Sequence, residues 1–252
     1  MTVQIKFQDK TYACAKDRPI LLTMQEQGAV IPSSCQNGFC HVCLSKVVKG
    51  KAPESAQQGL SDNLIKQGCF LPCVCKPDQD LTMEVATKDN VMFEKKGISP
   101  FDYYTTMVID KTWLNKDILR LCLVRPEALQ YKAGQFINIH QHESPLTRSY
   151  SLASMPCENF MELHIKRITS GKMSTWLCDE VQCGDNINIS GPSGECYYQT
   201  NNPKQDIILA GVGTGLAPLY GILRDAIESE HQGHIFLFHG SIHTQGLYYQ
   251  EE

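Results

Sequence analysis

Cys35, Cys40 and Cys43 stand as C-x4-C-x2-C, and Cys69, Cys73 and Cys75 crowd one later stretch, GCFLPCVCKPDQDL. Thiolates are metal ligands, and this spacing is a known one for a 2Fe-2S cluster. Two irons bridged by sulfide need four thiolates from converging directions. A tight loop supplies three, and a distant strand end supplies the fourth, so one of Cys69, Cys73 and Cys75 completes the set. Zinc usually takes paired C-x2-4-C units, which this pattern does not offer. Buried structural thiols are the remaining reading. Gly38 lets backbone close tightly around a cluster, and loop amides can donate to sulfur and tune its potential. A histidine-ligated cluster is chemically possible, but a lone His41 reads as a solvated loop residue.

A second group of residues has the chemistry of a nucleotide site. Arg148, Ser149, Tyr150 and Ser151 are followed by LAS. Arginine presents a planar fork to a pyrophosphate, tyrosine a flat face, and serine a hydroxyl. Alone, the string reads as a surface charge and a half-buried strand residue. Its context adds Gly171, Lys172, Met173 and Ser174 in GKMSTWL, at a helix start where unpaired amides and the helix dipole favour phosphate. Further on, Gly211-Val212-Gly213-Thr214-Gly215-Leu216-Ala217-Pro218 follows a strand and opens a helix, the setting a phosphate-binding glycine loop requires.

The elements that must position these residues are legible as changes of period. TVQIKFQ and KTYACAK alternate around Asp9 and Lys10, a β-hairpin. PILLTMQEQGAV reads as a short helix closed by Gly28. LSKVVKG is strand-like, GLSDNLIKQG a second short helix, and DLTMEVAT a last strand of period two. Residues 89–103, DNVMFEKKGISPFDY, show no sustained period and hold the linker. TTMVIDKTW, ILRLCLV, QFINIHQ, FMELHIKR and DNINISG are short alternating segments with one helix-like piece, STWLCDEV, which favours an antiparallel barrel. DIILAGVG is a buried-type strand, GLAPLYGILRDAIESE is helical and HIFLFHGS is a second strand, together a β-α-β unit.

At 252 residues the chain has room for two or three domains, at about 100 to 200 residues each. Apolar residues make up 42% and charged residues 20%, a globular balance. No run of about 18 apolar residues occurs, and MTVQIKFQDK lacks a signal-peptide core, so neither a membrane span nor export is expected. A net charge of −4 gives no reason to expect nucleic acid as a partner. Twelve cysteines with metal-ligand spacing and no export signal point to reduced thiolates in the cytoplasm.

IPSSCQNGFCHVC and LPCVCKPDQDL resemble the plant-type ferredoxin domain fused in oxygenase reductases, the family of the benzoate dioxygenase and methane monooxygenase reductases. That register selects Cys73 and leaves Cys69 and Cys75 as core thiols. The family often has Arg where Gln36 stands and Gly where His41 stands, so a difference in loop hydrogen bonding and potential is expected. Arg148 to Ser151 looks like the RxYS flavin signature of the ferredoxin-NADP reductases. GKMSTWL stands where their second flavin motif lies, Ala133-Gly134-Gln135 resembles a strand entry, and Gly191, Pro192 and Gly194 resemble a closing turn. The glycine loop resembles their GxGTGxAP.

The resemblance implies a multidomain α+β and β protein. A β-grasp 2Fe-2S ferredoxin domain spans 1–90, a linker 91–103, an antiparallel FAD-binding β-barrel 104–202, and a partial α/β NAD(P)-binding domain 203–252. FAD, expected ahead of FMN, would lie on Arg148, Tyr150, Ser151, Gly171, Lys172, Met173 and Ser174. NAD(P)H would lie on Gly211, Gly213, Thr214, Gly215 and Pro218, with NADH favoured because no arginine accompanies Ser241 and His243. The implied function is electron transfer from NAD(P)H through FAD and the cluster to a protein acceptor such as an oxygenase. No catalytic side chain is expected, because the cofactors carry the chemistry. The alternative is an electron relay without efficient dehydrogenase activity; a redox sensor would need a regulatory domain that is not found.

The family continues past this point with further parallel strands and a Cys-Gly motif facing the nicotinamide, so the sequence reads as truncated. Cluster and FAD are therefore expected to be held while NAD(P)H reduces them poorly. Rapid bleaching of the flavin by stoichiometric NADH under anaerobic conditions is the result that would contradict this.

Overall fold

The structure, a computed structural model, describes residues 2–33, 35–87, 89–92, 103–141, 146–194 and 196–251. Most of the expected linker, residues 93–102, lies outside them. The chain divides into two compact units, Met1–Phe101 and Asp102–Glu252.

The first unit is a five-stranded mixed sheet. β1 (Thr2–Phe7) and β2 (Lys10–Ala15) form the expected hairpin, in which Ile5 pairs with Tyr12. α1 (Ile20–Glu26) buries Ile20, Leu21 and Met24, and Gly28 ends it at φ +87, the left-handed conformation a helix stop favours. β3 (Ser45–Lys49), α2 (Asp62–Lys66), β4 (Cys69–Phe70) and β5 (Leu81–Val85) complete the unit. Ser61 caps α2 by accepting the Leu64 amide. The strand order is β2-β1-β5-β3-β4, with β1 and β5 parallel and the other pairs antiparallel. This is a β-grasp arrangement. Two residues long, β4 was not expected as a strand, because period two has nothing to register over so short a length.

The second unit opens with a six-stranded antiparallel sheet made of β6 (Tyr103–Trp113), β7 (Ile118–Val124), β8 (Phe136–His140), β9 (Thr147–Ser151), β10 (Phe160–Lys166) and β11 (Asn186–Ser193). Its order is β10-β7-β6-β11-β8-β9. The end strands meet through an antiparallel bridge between Leu152 and Leu163, which closes the sheet. Leu119, Leu121, Leu123, Ile137, Ile139, Leu163 and Ile189 fill it. STWLCDEV is helical only in part: α3 (Lys172–Thr175) is a single turn that widens into a π-helical turn at Trp176–Glu180.

β12 (Ile207–Val212), α4 (Leu216–Glu228) and β13 (Ile235–Gly240) form the β-α-β element, its two strands parallel. DIILAGVG was expected as a strand buried on both sides, and here the structure differs. Ile208 is 72% exposed and Val212 70%, as is Phe238 at 59%. α4 covers one face of the two-stranded ribbon, where Leu209, Leu219 and Ile222 pack. Among the described residues nothing covers the other face. No helix among them is long and apolar enough to cross a membrane.

α4 seats on the barrel through glycine. Gly134, at φ +92, leaves no room for a side chain: an added Cβ would stand 2.5 Å from the Cys196 carbonyl and 2.7 Å from Ile222 of α4. Gly134→Ala is therefore expected to destabilise the second unit by at least about 2 kcal/mol, seen as a lower urea midpoint at unchanged slope. Gly184→Ala, also at positive φ but facing open space, is the control and should cost only the backbone strain, about 1 kcal/mol.

Candidate cofactor sites

In the first unit the loop before β3 turns back on itself repeatedly, with Gln36, Gly38 and His41 all at positive φ. His41 sits at φ +54, a conformation glycine adopts without cost and other residues adopt with strain. The loop brings Cys35 against Cys40. The Asn37 and Cys40 amides donate to Cys35 Sγ at 3.4 and 3.3 Å, and the Cys35 amide donates to Cys40 Sγ at 3.3 Å.

Cys73 arrives from the segment after β4, whose carbonyls are held by the first amides of α1. Leu21 N–H donates to Pro72 O, and Ile20 N–H to Cys75 O. The Cys73 thiol meets Cys43, and the Gly38 amide donates to it. Thus the four sulfurs form two pairs, Cys35 with Cys40 and Cys43 with Cys73, and the pairs also feel one another's charge. Within each pair one thiol donates to the other. That hydrogen bond, aided by backbone amides, lowers Cys35 and Cys73, while their partners Cys40 and Cys43 are raised.

Among the described residues no three His, Cys, Asp or Glu side chains converge on one point fit for a single metal ion. Two pairs of thiols suit two irons instead, because a binuclear cluster with four cysteine ligands takes two per iron. Cys69 and Cys75 are equally buried and share the apolar core with Cys43 and Cys73, but among the described contacts neither is hydrogen-bonded to a second thiol. Burial raises both thiols, Cys75 to about 12.

In the second unit a cavity of about 420 Å³ opens between β9, β10, α3 and the start of α4. Arg148, Tyr150, Ser151, Gly171, Lys172, Met173, Ser174 and Thr214 all border it. Gly211, Gly213, Gly215 and Pro218 do not. The sequence reading passed over His164, Lys166 and Ile168, which line it too, as does Ala217 of the glycine loop. Lys166 had a weak signal: with His164 it lies on one face of a period-two strand. Arg148, Lys166 and Lys172 make three cations, and no carboxylate is among the described lining residues, so the cavity favours an anion.

Individual groups differ in how free they are. Arg148 spends one N–H on the Thr147 carbonyl at 2.7 Å, and among the described residues no other hydrogen bond engages its fork. The Ser174 hydroxyl is already committed, accepting from Ile168 N–H at 3.2 Å and donating to Gly171 O at 3.1 Å. Gly171 N–H donates to Ile168 O. Ser174 and Gly171 therefore shape the turn rather than offer free donors, which corrects the expectation of open amides beginning at Gly171. Burial raises the Tyr150 phenol, keeping it neutral with its ring beside the cavity. A larger hollow of about 630 Å³ lies in the first unit, near Gly50, Lys51, Gln57 and Leu60, and has no comparable chemistry.

The glycine loop joins β12 to α4 as expected. A Cβ on Gly211 would stand 2.8 Å from both Gly215 O and Leu219, so only glycine fits; Gly213 takes φ +56. Pro218 falls in the first turn of α4, where its missing N–H costs no hydrogen bond.

Residues 3–78 match the family of 2Fe-2S iron-sulfur cluster binding domains, 105–198 the oxidoreductase FAD-binding domains and 208–252 the oxidoreductase NAD-binding domains. The phenol hydroxylase P5 protein of Acinetobacter pittii is 31% identical over 96% of this chain and 68% of its own length. The xylene/toluene monooxygenase electron transfer component of Pseudomonas putida is 28% identical, over the whole chain and 70% of its own length. Among solved structures, the Amycolatopsis cytochrome P450 reductase GcoB aligns with TM-score 0.62 at 25% identity, over 99% of this chain and 75% of that one. The ferredoxin reductase of carbazole 1,9a-dioxygenase aligns with TM-score 0.60 at 25% identity, over 98% and 74%.

The ligand set can be tested residue by residue. Serine at Cys35, Cys40, Cys43 or Cys73 should sharply lower iron and acid-labile sulfide in the purified protein. Serine at Cys69 or Cys75 should leave both near their original values. Retention of full iron by Cys73→Ala, which leaves no oxygen to replace the sulfur, would rule out that thiol as the fourth ligand.

Proposed function

The chain belongs to the family of ferredoxin-fused flavoprotein reductases that serve oxygenases, and from that premise we propose that it passes electrons from NAD(P)H through FAD and a 2Fe-2S cluster to a separate oxygenase-type protein. It is an oxidoreductase, and we place it in the cytoplasm. We assign the cluster to residues 1–90, FAD to 104–202 and the nicotinamide nucleotide to 203–252.

The observation that carries the reading is the cavity lined by Arg148, Lys166, Lys172 and Tyr150. A flavin dinucleotide has two needs, an anionic pyrophosphate to be neutralised and a flat ring to be covered. The cavity offers cations for the first and the Tyr150 ring for the second. When bound, FAD takes a pair of electrons from reduced nicotinamide and gives them up singly, as a one-electron cluster requires.

The chain's own residues bind and orient. Arg148 and Lys172 would neutralise the pyrophosphate, Tyr150 and Met173 would cover apolar surface, and Ser151 would supply a hydroxyl. Cys35, Cys40, Cys43 and Cys73 hold iron, while the Asn37, Cys40 and Gly38 amides donate to sulfur and stabilise its negative charge. Gly211, Gly213, Thr214, Gly215 and Pro218 form the nucleotide loop, and we favour NADH.

The alternative is a relay holding cluster and FAD without efficient dehydrogenase activity.

Freshly purified protein is expected to contain about two irons, two sulfides and one FAD per chain. Arg148→Ala should weaken FAD by about tenfold, the size of a charge-assisted hydrogen bond. Steady-state reduction of cytochrome c by NADH decides between reductase and relay. Flavin without iron would remove the cluster from the reading.

A further inference from the structure

A chain of buried polar groups runs from the barrel to the glycine loop. Glu162 and His164, 4% and 3% exposed, stand two residues apart on β10. The Glu162 carboxylate accepts from Arg120 Nε at 2.9 Å and from the Tyr249 hydroxyl at 2.7 Å, and His164 Nε2 lies 2.9 Å from it. His164 Nδ1 lies 2.9 Å from the Tyr248 hydroxyl, which in turn is 3.4 Å from the Gly213 carbonyl. His239 Nε2 reaches the same carbonyl at 3.2 Å.

Proton counting makes this chain two-state. An ionised carboxylate only accepts, so His164 Nε2 carries a proton. Tyr248 has one proton to donate. With a neutral imidazole, Nδ1 is an acceptor at 2.9 Å and takes that proton in preference to the carbonyl at 3.4 Å. With an imidazolium, Nδ1 donates, the Tyr248 oxygen accepts, and the phenol proton turns to Gly213.

We propose that Tyr248 is a positioning residue for the nucleotide loop, its hydroxyl directed by the protonation state of His164 either to the imidazole or to the Gly213 carbonyl. The Gly213 carbonyl and the Thr214 N–H belong to one trans peptide and point in opposite directions. Holding the carbonyl toward Tyr248 aims the Thr214 amide away from it, and Thr214 lines the cavity.

The charges around His164 are mixed. Arg120 is its register partner on β7. Glu162 is on its own strand, Tyr248 and Tyr249 set their rings edge-on to it, and His239 lies edge-on to Tyr248. Arg148, Lys166 and Lys172 share the cavity with it. Burial alone would raise the Glu162 carboxyl, but hydrogen bonds from His164, Tyr249 and Arg120 more than offset this and hold it at about 2. Glu162 thus stays ionised from about pH 5 to 9 and accepts from His164 Nε2 throughout.

The effect on nucleotide binding rests on the reading of the loop given above; the hydrogen-bond switch does not. The test uses the full flavin-loaded chain, labelled with nitrogen-15, from about pH 5 to 9. The Thr214 amide resonance is expected to move with the same midpoint as the His164 ring nitrogens. In Tyr248→Phe, which keeps the ring packing, the imidazole should still titrate while Thr214 ceases to follow it. A Thr214 resonance indifferent to His164 in the unmodified chain, or one that follows equally in Tyr248→Phe, overturns the proposal.

Calorimetric titration with NAD+ supplies the second measurement. The unmodified chain should bind about fivefold more tightly below the His164 midpoint than above it, the scale of one hydrogen bond. Tyr248→Phe should show the weaker affinity at both pH values. If Thr214 follows His164 but no NAD+ binds to either protein, the switch is supported and the nucleotide reading of the loop fails.

Discussion

A carboxylate sealed from water must be neutralised where it lies, and Glu162 is the place where the second unit meets that requirement. An unpaired buried charge costs several kcal/mol, so the elements around Glu162 are obliged to converge. Arg120 comes across the β7–β10 ladder and itself leans on Asp110 of β6. His164 comes from the same face of β10, and Tyr249 from beyond β13. One charge therefore ties three barrel strands to the nucleotide segment. This pairing fixes which residues of β10 face inward, and with them the placement of Lys166 at the cavity.

The first unit solves a related problem with backbone rather than side chains. Four sulfurs brought together repel one another once ionised, and no lysine or arginine is within hydrogen-bonding reach of them among the described contacts. Amides of the loop take that role, donating to Cys35, Cys40 and Cys73. Such a loop needs left-handed residues to turn its N–H groups inward, and Gln36, Gly38 and His41 provide them.

Elements defined by period were readable in the sequence: the first hairpin, α1, the long barrel strands and the strand-loop-helix at Gly211. Spacing exposed the first three cysteines but left Cys69, Cys73 and Cys75 open. Burial does not separate them, since all three are buried; what distinguishes Cys73 is its neighbours, Cys43 and the Gly38 amide. DIILAGVG misled because an apolar run reports the composition of a strand, not how many of its faces are covered. Tyr248 carried no signal, since its partners His164 and Gly213 are distant in the chain. Ser174 was legible as a residue of the cavity, but not that its hydroxyl is consumed by the turn it starts.

Thr214 and Ala217 belong to the nucleotide segment, yet they form one wall of the cavity that β9, β10 and α3 otherwise enclose. The cavity's fourth side is therefore only as durable as the docking of α4. A ligand that touches Thr214 and Ala217 as well as β9, β10 and α3 keeps all its contacts only while α4 is docked, so by mass action its occupancy strengthens the attachment of the nucleotide segment. Emptying the cavity and loosening α4 are then two readouts of a single thermodynamic linkage.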